Sequence, residues 1–439
     1  MLELAHGVDA TVGPSCWWTL PHLVSPPQLN RYYGHQGPGR SHSQEGRAGA
    51  RRHPRTALPT AALPPTLLSG GFGLALLRRR ASAWRGAFDP RGRASRRAQG
   101  GQGNAQSAHV RVVTYNVLSP TLCSPNRFPH CRSEDLLESF RWPRLIAQLE
   151  AALADSVPTV FCLQEVDELW AGKLHAYFQR RGWHFAYAMT PLTYFPPIGV
   201  ALAFPSDIEL EEIIMVRPAG QLKLTSRSST RWQRFKDWLF PQRARDEGAA
   251  WVLAARKQNR LLAARLKVKC ESKSFIAATY HMPCLFDEPV QRQAKAIHAM
   301  LLRDALMLRF PQERLVLAGD FNTKPEDSEL EVLMEGQLSE MDVAWPAALE
   351  DQGLDFARWQ AGPLQLHNAY AHCNLDYTNY AWIEGSPAPF RATLDYIFTT
   401  SPIEVVQVLT PPQVPLGAPV LPTAEQPSDH VLLAADLSL

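Results

Sequence analysis

Between residues 110 and 437, short apolar runs alternate with segments of helical periodicity. The runs 110–115, 159–163, 199–204, 260–266, 275–280, 315–318, 394–398 and 431–437 are bounded by polar or turn residues, and several are β-branched or aromatic. That pattern predicts strands. Helices are predicted over 134–154, 171–181, 290–309 and 328–335. In the first, Leu145, Leu149, Ala152 and Leu153 recur three and four residues apart and make one apolar face. Strands and helices interleaved in this way predict α/β layering. No long Gly/Pro/Ser linker interrupts the pattern, so 109–439 reads as one domain. It is larger than a single core usually grows, which points to two sheets packed together.

The region before 109 is a different material. From about 34 to 108 it consists mainly of Arg, Gly, Ala, Pro and Ser, with clusters at Arg51-Arg52, Arg78-Arg79-Arg80 and Arg96-Arg97. It lacks the periodic apolar content that offsets ordering entropy, so 1–108 is expected to be mostly disordered. The net charge of +3 hides this division. Residues 1–108 carry 14 Arg, no Lys and four acids, a balance of +10, whereas the rest carries 31 basic and 38 acidic residues, a balance of −7. An Arg-rich, acid-poor leader suits a transit peptide, a basic nucleic-acid tail or a solvated extension; Glu3 and Asp9 at its start weigh against the first. Seven cysteines without a CxxC pair indicate neither a disulfide framework nor a structural zinc site. No stretch reaches the ~18 uninterrupted apolar residues of a membrane span. The expected location is intracellular: the cytoplasm, or a mitochondrion or plastid if the leader is a transit peptide.

Candidate chemistry lies where strands end. Asn116 follows VRVVTY, Glu165 follows VFCLQ, His281 follows FIAATY, and Asp320 and Asn322 follow LVLAG; Asp395 lies in TLDYIF, and Asp429-His430 open the last predicted strand. One polar residue at a strand end is ordinary turn or cap chemistry. Six such sites drawn from acids, amides and histidines form a set. Carboxylate and carboxamide oxygens suit a hard divalent cation such as Mg²⁺, with Mn²⁺ as its substitute. Histidines near carboxylates supply positive charge and protons where a phosphate would sit. The set fits metal-assisted attack on a phosphate ester.

The ordered motifs TYN (114–116), LQEVD (163–167), GDFN (319–322), LDYIF (394–398) and SDH (428–430) resemble the endonuclease/exonuclease/phosphatase superfamily. TYNVL, YTNY (377–380) and LDYIF resemble its branch of poly(A) deadenylases, nocturnin and Angel proteins. The resemblance covers nearly all of 110–437. It implies a four-layer α/β sandwich, two mixed β-sheets face to face between helices, with the site at one open end. It also implies roles. Glu165 is the principal metal ligand, with Asn116 beside it and Asp429 supporting the metal side. Asp320 orients and deprotonates the attacking water, and Asn322 holds that water or a phosphate oxygen. His430, oriented by Asp395, and His281 bind the phosphate.

For the substrate, the resemblance places Phe390, five residues before Asp395, as an aromatic that stacks on the base of the scissile nucleotide; packing of its own loop is the other role open to it. Two departures limit the likeness. The loop MPCLFDEPVQRQ after His281 is unlike that of the deadenylases, so their adenine contact does not carry over. Leu118 stands where the abasic-site endonucleases have an aspartate, which disfavours that branch. A segment at 221–245 carries Lys223, Arg227, Arg231, Arg234, Lys236, Arg243 and Arg245 against Asp237, interleaved with Trp232, Phe235, Trp238 and Phe240. It suits a nucleic-acid backbone, an anionic membrane surface or a solvated insertion. The expected function is Mg²⁺-dependent hydrolysis of RNA from a single-stranded 3′ end. The alternative is a phosphatase on a nucleotide or RNA terminus. A catalytically dead RNA-binding protein is the reading from another class; Glu165, Asp320, Asp395 and His430, which such a protein need not keep, are all present.

Overall fold

The computed structural model describes residues 109–439 apart from 154–156, 192–195, 223, 225–247, 270–272, 287, 349–352, 359–361 and 416. The Arg-rich leader and nearly all of the basic aromatic segment at 221–245 lie outside the described residues.

Two six-stranded sheets form the centre. The first has the order β13 (Glu404–Leu409), β14 (Leu433–Ser438), β1 (His109–Asn116), β2 (Thr159–Val166), β4 (Gly199–Pro205), β3 (Trp183–Met189). The second runs β5 (Ile208–Val216), β6 (Leu261–Val268), β7 (Ser274–His281), β8 (Leu315–Asp320), β12 (Asp395–Thr399), β9 (His367–Asn368). Each is mixed: β1–β2 and β7–β8 are parallel and the other pairs antiparallel. A separate ribbon pairs β10 (Asn379–Ala381) with β11 (Phe390–Ala392).

Strand alternation separates the layers. In β1, Val110 and Val112 join Val160, Leu202, Phe275, Val316 and Ile397 between the sheets, whereas Val113 and Tyr115 face outward. The outward face of the first sheet is covered by α1 (Glu138–Ala152) and α2 (Glu168–Arg180) through Leu145, Leu149, Trp170, Leu174 and Phe178. On the second, Trp251, Ile297, Leu301 and Leu333 come from α3 (Ala249–Arg256), α4 (Pro289–Arg309) and α5 (Ser328–Glu335). The result is the four-layer α/β sandwich that the motifs imply.

Several elements differ from the periodicity reading. The strand expected over 431–437 begins at Leu433, so Asp429 and His430 sit in the approach to β14. The helix expected from 134 starts at Glu138, because 134–137 closes turns back to Arg132, Ser133 and Glu134. Strands β3, β5 and β13 carry no clear apolar run. They are sheet edges, and β5 and β13 are largely exposed, so burial imposes little pattern on them.

Register brings the polar strand ends to one rim. Asn116 pairs with Gln164, one residue before Glu165; His281 pairs with Asp320; Asp320 pairs with Asp395, the first residue of antiparallel β12. Gly319 permits the close approach of β7 and β8 here, since a Cβ on it would collide with the Tyr280 carbonyl. Gly319→Ala is expected to lower stability by at least ~2 kcal/mol, because main chain rather than a flexible side chain must move. Gly172→Ala, on α2 with nothing near its added Cβ, should be neutral or mildly stabilising. Urea unfolding of both variants tests the contrast; equal midpoints would remove the close approach as a constraint.

Candidate active site

The rim opens into a cleft of about 600 Å³ lined by Glu165, His281, Asp320, Asn322, Asp429, His430 and Phe390. Asn116 and Asp395 stand directly behind them, and both are buried. The structure therefore gathers all the residues singled out from the strand ends, together with Phe390.

At its centre is a buried acid–histidine–acid array. His430 Nδ1 lies 2.7 Å from Asp395 Oδ2, and its Nε2 lies 3.7 Å from Asp320 Oδ2. His281 Nε2 approaches the same Asp320 oxygen at 3.4 Å. Burial pulls the His430 imidazole down, but Asp395, Asp320 and Asp429 outweigh it and hold it well above its ordinary 6.5. Burial pushes the Asp320 carboxyl up, opposed by His430 and reinforced by Asp395.

Asn116 ties this array to Glu165. Its Nδ2 donates to Glu165 Oε1 at 3.1 Å and to Asp320 Oδ2 at 3.0 Å, while its Oδ1 accepts from Leu118 N. Glu165 Oε2 accepts from Ser119 N at 3.2 Å. Glu165 sits at an irregularity in the β2–β4 pairing with φ 56°, and Asn322 has φ 45°. Left-handed backbone on non-glycine residues costs roughly 1–3 kcal/mol each and persists where surrounding contacts over-determine it. Those contacts are present: Asn322 N donates to Asp320 Oδ1, its Nδ2 to Met282 O, and buried Lys295 donates to its carbonyl.

Three contributors were not identified from the sequence. Asn379, inside YTNY, donates to Asp429 Oδ2 at 3.3 Å. Ser428, which opens SDH, donates to the Asn116 carbonyl at 2.7 Å. Both lie in motifs quoted for the resemblance, so the signal was present but not their role. Lys295 carried no signal, since it sits among apolar residues of α4.

The model of the Endonuclease/Exonuclease/phosphatase family matches residues 113–430. The chain belongs to that family. Its members are hydrolases of phosphate esters, and within it the chain resembles the deadenylase, nocturnin and Angel branch. It is 29% identical over 134 residues to the CCR4-Not complex 3′-5′-exoribonuclease subunit Ccr4 of Neurospora crassa, covering 28% of this chain and 15% of that protein. It is 24% identical over 371 residues to human 2′,5′-phosphodiesterase 12, covering 76% of this chain and 52% of the relative. The chain thus spans about half, or less, of the length of these two relatives. Among solved structures, ANGEL2, a 2′,3′-cyclic phosphatase, aligns with a TM-score of 0.55 at 20% identity over 76% of this chain and 97% of its own, which supports the fold. Among the described residues no helix is long and apolar enough to cross a membrane.

Family enzymes generally need a divalent cation, and the donor set fits one. Burial pushes the Asp429 carboxyl up; His430 opposes this, and Glu165, which lines the same cleft, adds to it. A cation would offset that repulsion. Donor atoms of Asp320, Asp395 and His430 also lie within 4.8 Å of one another. A protonated His430 bound to Asp395 would have no lone pair to give.

The raised His430 value makes a prediction about pH. A group whose folded value is raised contributes stability fully present below its unfolded value near 6.5 and lost as pH rises through the folded one. NMR titration of the His430 ring should show the imidazolium persisting well above 6.5, and Asp395→Asn should move the transition down. Identical transitions in the two proteins would contradict the array.

Proposed function

We propose that the chain is a Mg²⁺-dependent phosphodiesterase that removes nucleotides from the 3′ end of single-stranded RNA. The observation that carries this reading is the half-buried Phe390 on the wall of the cleft that holds the acid–histidine array. Phe286 stands beside it with ring centroids 5.9 Å apart, and the Lys324 ammonium lies 6.0 Å from the Phe390 centroid. An aromatic face flanked by a cation suits a stacked base with its phosphate alongside, a contact of about 1–3 kcal/mol per base.

Glu165 and Asp429 would hold the Mg²⁺, or Mn²⁺, with Asn116 orienting Glu165. When bound, such a cation polarises a phosphoryl oxygen and offsets charge on the leaving oxygen. Asp320, fixed through Oδ1 by the Asn322 main-chain N–H, orients water and takes its proton; a carboxyl raised by burial is the better base for this. His430 Nε2 and His281 Nε2 donate to non-bridging oxygens, and Asp395 keeps the proton on His430 Nδ1. The Asn322 side chain, whose Nδ2 donates to the Met282 carbonyl, lines the cleft and serves to hold the water or a phosphate oxygen.

A phosphatase acting on a nucleotide or RNA terminus is the second reading. It draws support from the likeness to ANGEL2 and uses the same residues. The two readings differ in product. Purified enzyme with Mg²⁺ and 5′-labelled single-stranded RNA should give a ladder shortened one nucleotide at a time, whereas free inorganic phosphate with an intact chain would favour the second. Glu165→Ala should abolish the ladder, and Phe390→Ala should cut kcat/KM by about 5- to 150-fold. Undiminished shortening by Glu165→Ala would end the proposal.

A further inference from the structure

Two neighbouring cations of the cleft, Lys257 and Arg260, are given no part in this chemistry. Lys257 and Arg260, in the loop between α3 and β6, both line it, both are half-buried, and among the described residues neither has an ion-pair partner. Their loop is held firmly. Asn259 Nδ2 donates to the His281 carbonyl at 2.7 Å, and Arg217 donates to the Lys257 and Ala255 carbonyls. Burial pushes the Lys257 amine down, so its charge is partly stripped of water.

Register places this loop relative to the reacting centre. Leu262 pairs with Thr279, which brings Arg260 level with His281; His281 is level with Asp320 and Asp320 with Asp395. Arg260, His281, Asp320 and Asp395 thus form a row across four neighbouring strands. At about 4.8 Å per strand, the Arg260 backbone stands roughly 10 Å from that of Asp320, of the order of one nucleotide unit. Phe390, in β11, stands beside Phe286 and Lys324, which follow His281 and Asp320 in the chain. A chain whose 3′ base stacks on Phe390, with its scissile phosphate at His281 and Asp320, continues toward Lys257 and Arg260.

We infer that Lys257 and Arg260 form a second phosphate subsite, which receives the phosphate on the 5′ side of the nucleotide that precedes the scissile bond. The inference rests on the RNA reading for the direction of the chain. It makes the favoured substrate class one with two phosphates a nucleoside apart, rather than a lone nucleotide phosphate. Half-buried cations without carboxylate partners are suited to this, since phosphate replaces lost water with charge-assisted hydrogen bonds and displaces no existing ion pair.

The test is binding, which does not depend on turnover. The ligands are a diadenosine joined by an uncleavable methylenephosphonate, with and without a 5′-phosphate, titrated calorimetrically into the full chain with Mg²⁺. The 5′-phosphate should tighten binding by about tenfold or more. Arg260→Ala with Lys257→Ala should bring the two ligands within about twofold, while Lys324→Ala, at the Phe390 end, keeps the difference. Equal binding of the two ligands by the unsubstituted protein, or a difference that survives loss of both cations, overturns the subsite. Absence of RNA shortening alongside a preserved 5′-phosphate preference would instead fault the assigned reaction and leave the subsite standing.

Discussion

The hydrogen bond between Asp395 and His430 joins the two sheets at the point where the chemistry is set. Asp395 opens β12 of the second sheet, and His430 lies just before β14 of the first. The bond is 2.7 Å long and both side chains are buried. In such surroundings a lone ionised group would be costly, and breaking a buried pair typically costs 3–5 kcal/mol. The array therefore constrains how the sheets meet. In return, the packed core around Val112, Val316 and Ile397 holds the two partners in reach of Asp320. Asn116 then extends the same network to Glu165, so the proton-handling side and the proposed cation side are mechanically one unit.

Much of this was legible in the sequence because central strands of a two-sheet sandwich are buried on both faces. β1, β2, β4, β7 and β8 read as apolar runs, and each run that ends in a polar residue delivers it to the rim. Parallel pairing of β1 with β2 and of β7 with β8 then makes those ends coincide. The edge strands β5 and β13 were not legible, because solvent on their exposed positions relaxes the pattern. Roles carried by contacts distant in sequence were also hidden. Nothing in YTNY alone says that Asn379 meets Asp429 across fifty residues, and Lys295 reads as an interruption of a helix face until Asn322 is seen beside it.

The charge balance has a structural counterpart. The region 109–439 carries a formal −7, yet its cleft places Lys257, Arg260, Lys324 and Arg127 around a carboxylate centre. Arg127 draws the Asp429 carboxyl down against the effect of burial, and Lys324 lies over Phe390. Cations grouped in a cleft in this way raise the local potential for an anionic ligand.

The central claim is that water attacks an internal phosphodiester beside the 3′-terminal nucleotide. Single-turnover cleavage of single-stranded RNA in ¹⁸O-labelled water, followed by mass spectrometry of the products, addresses it directly. The account predicts one ¹⁸O atom in the 5′-phosphate of the released mononucleotide and none on the shortened chain. Label found in inorganic phosphate, or on the 3′ end of the remaining RNA, would contradict it.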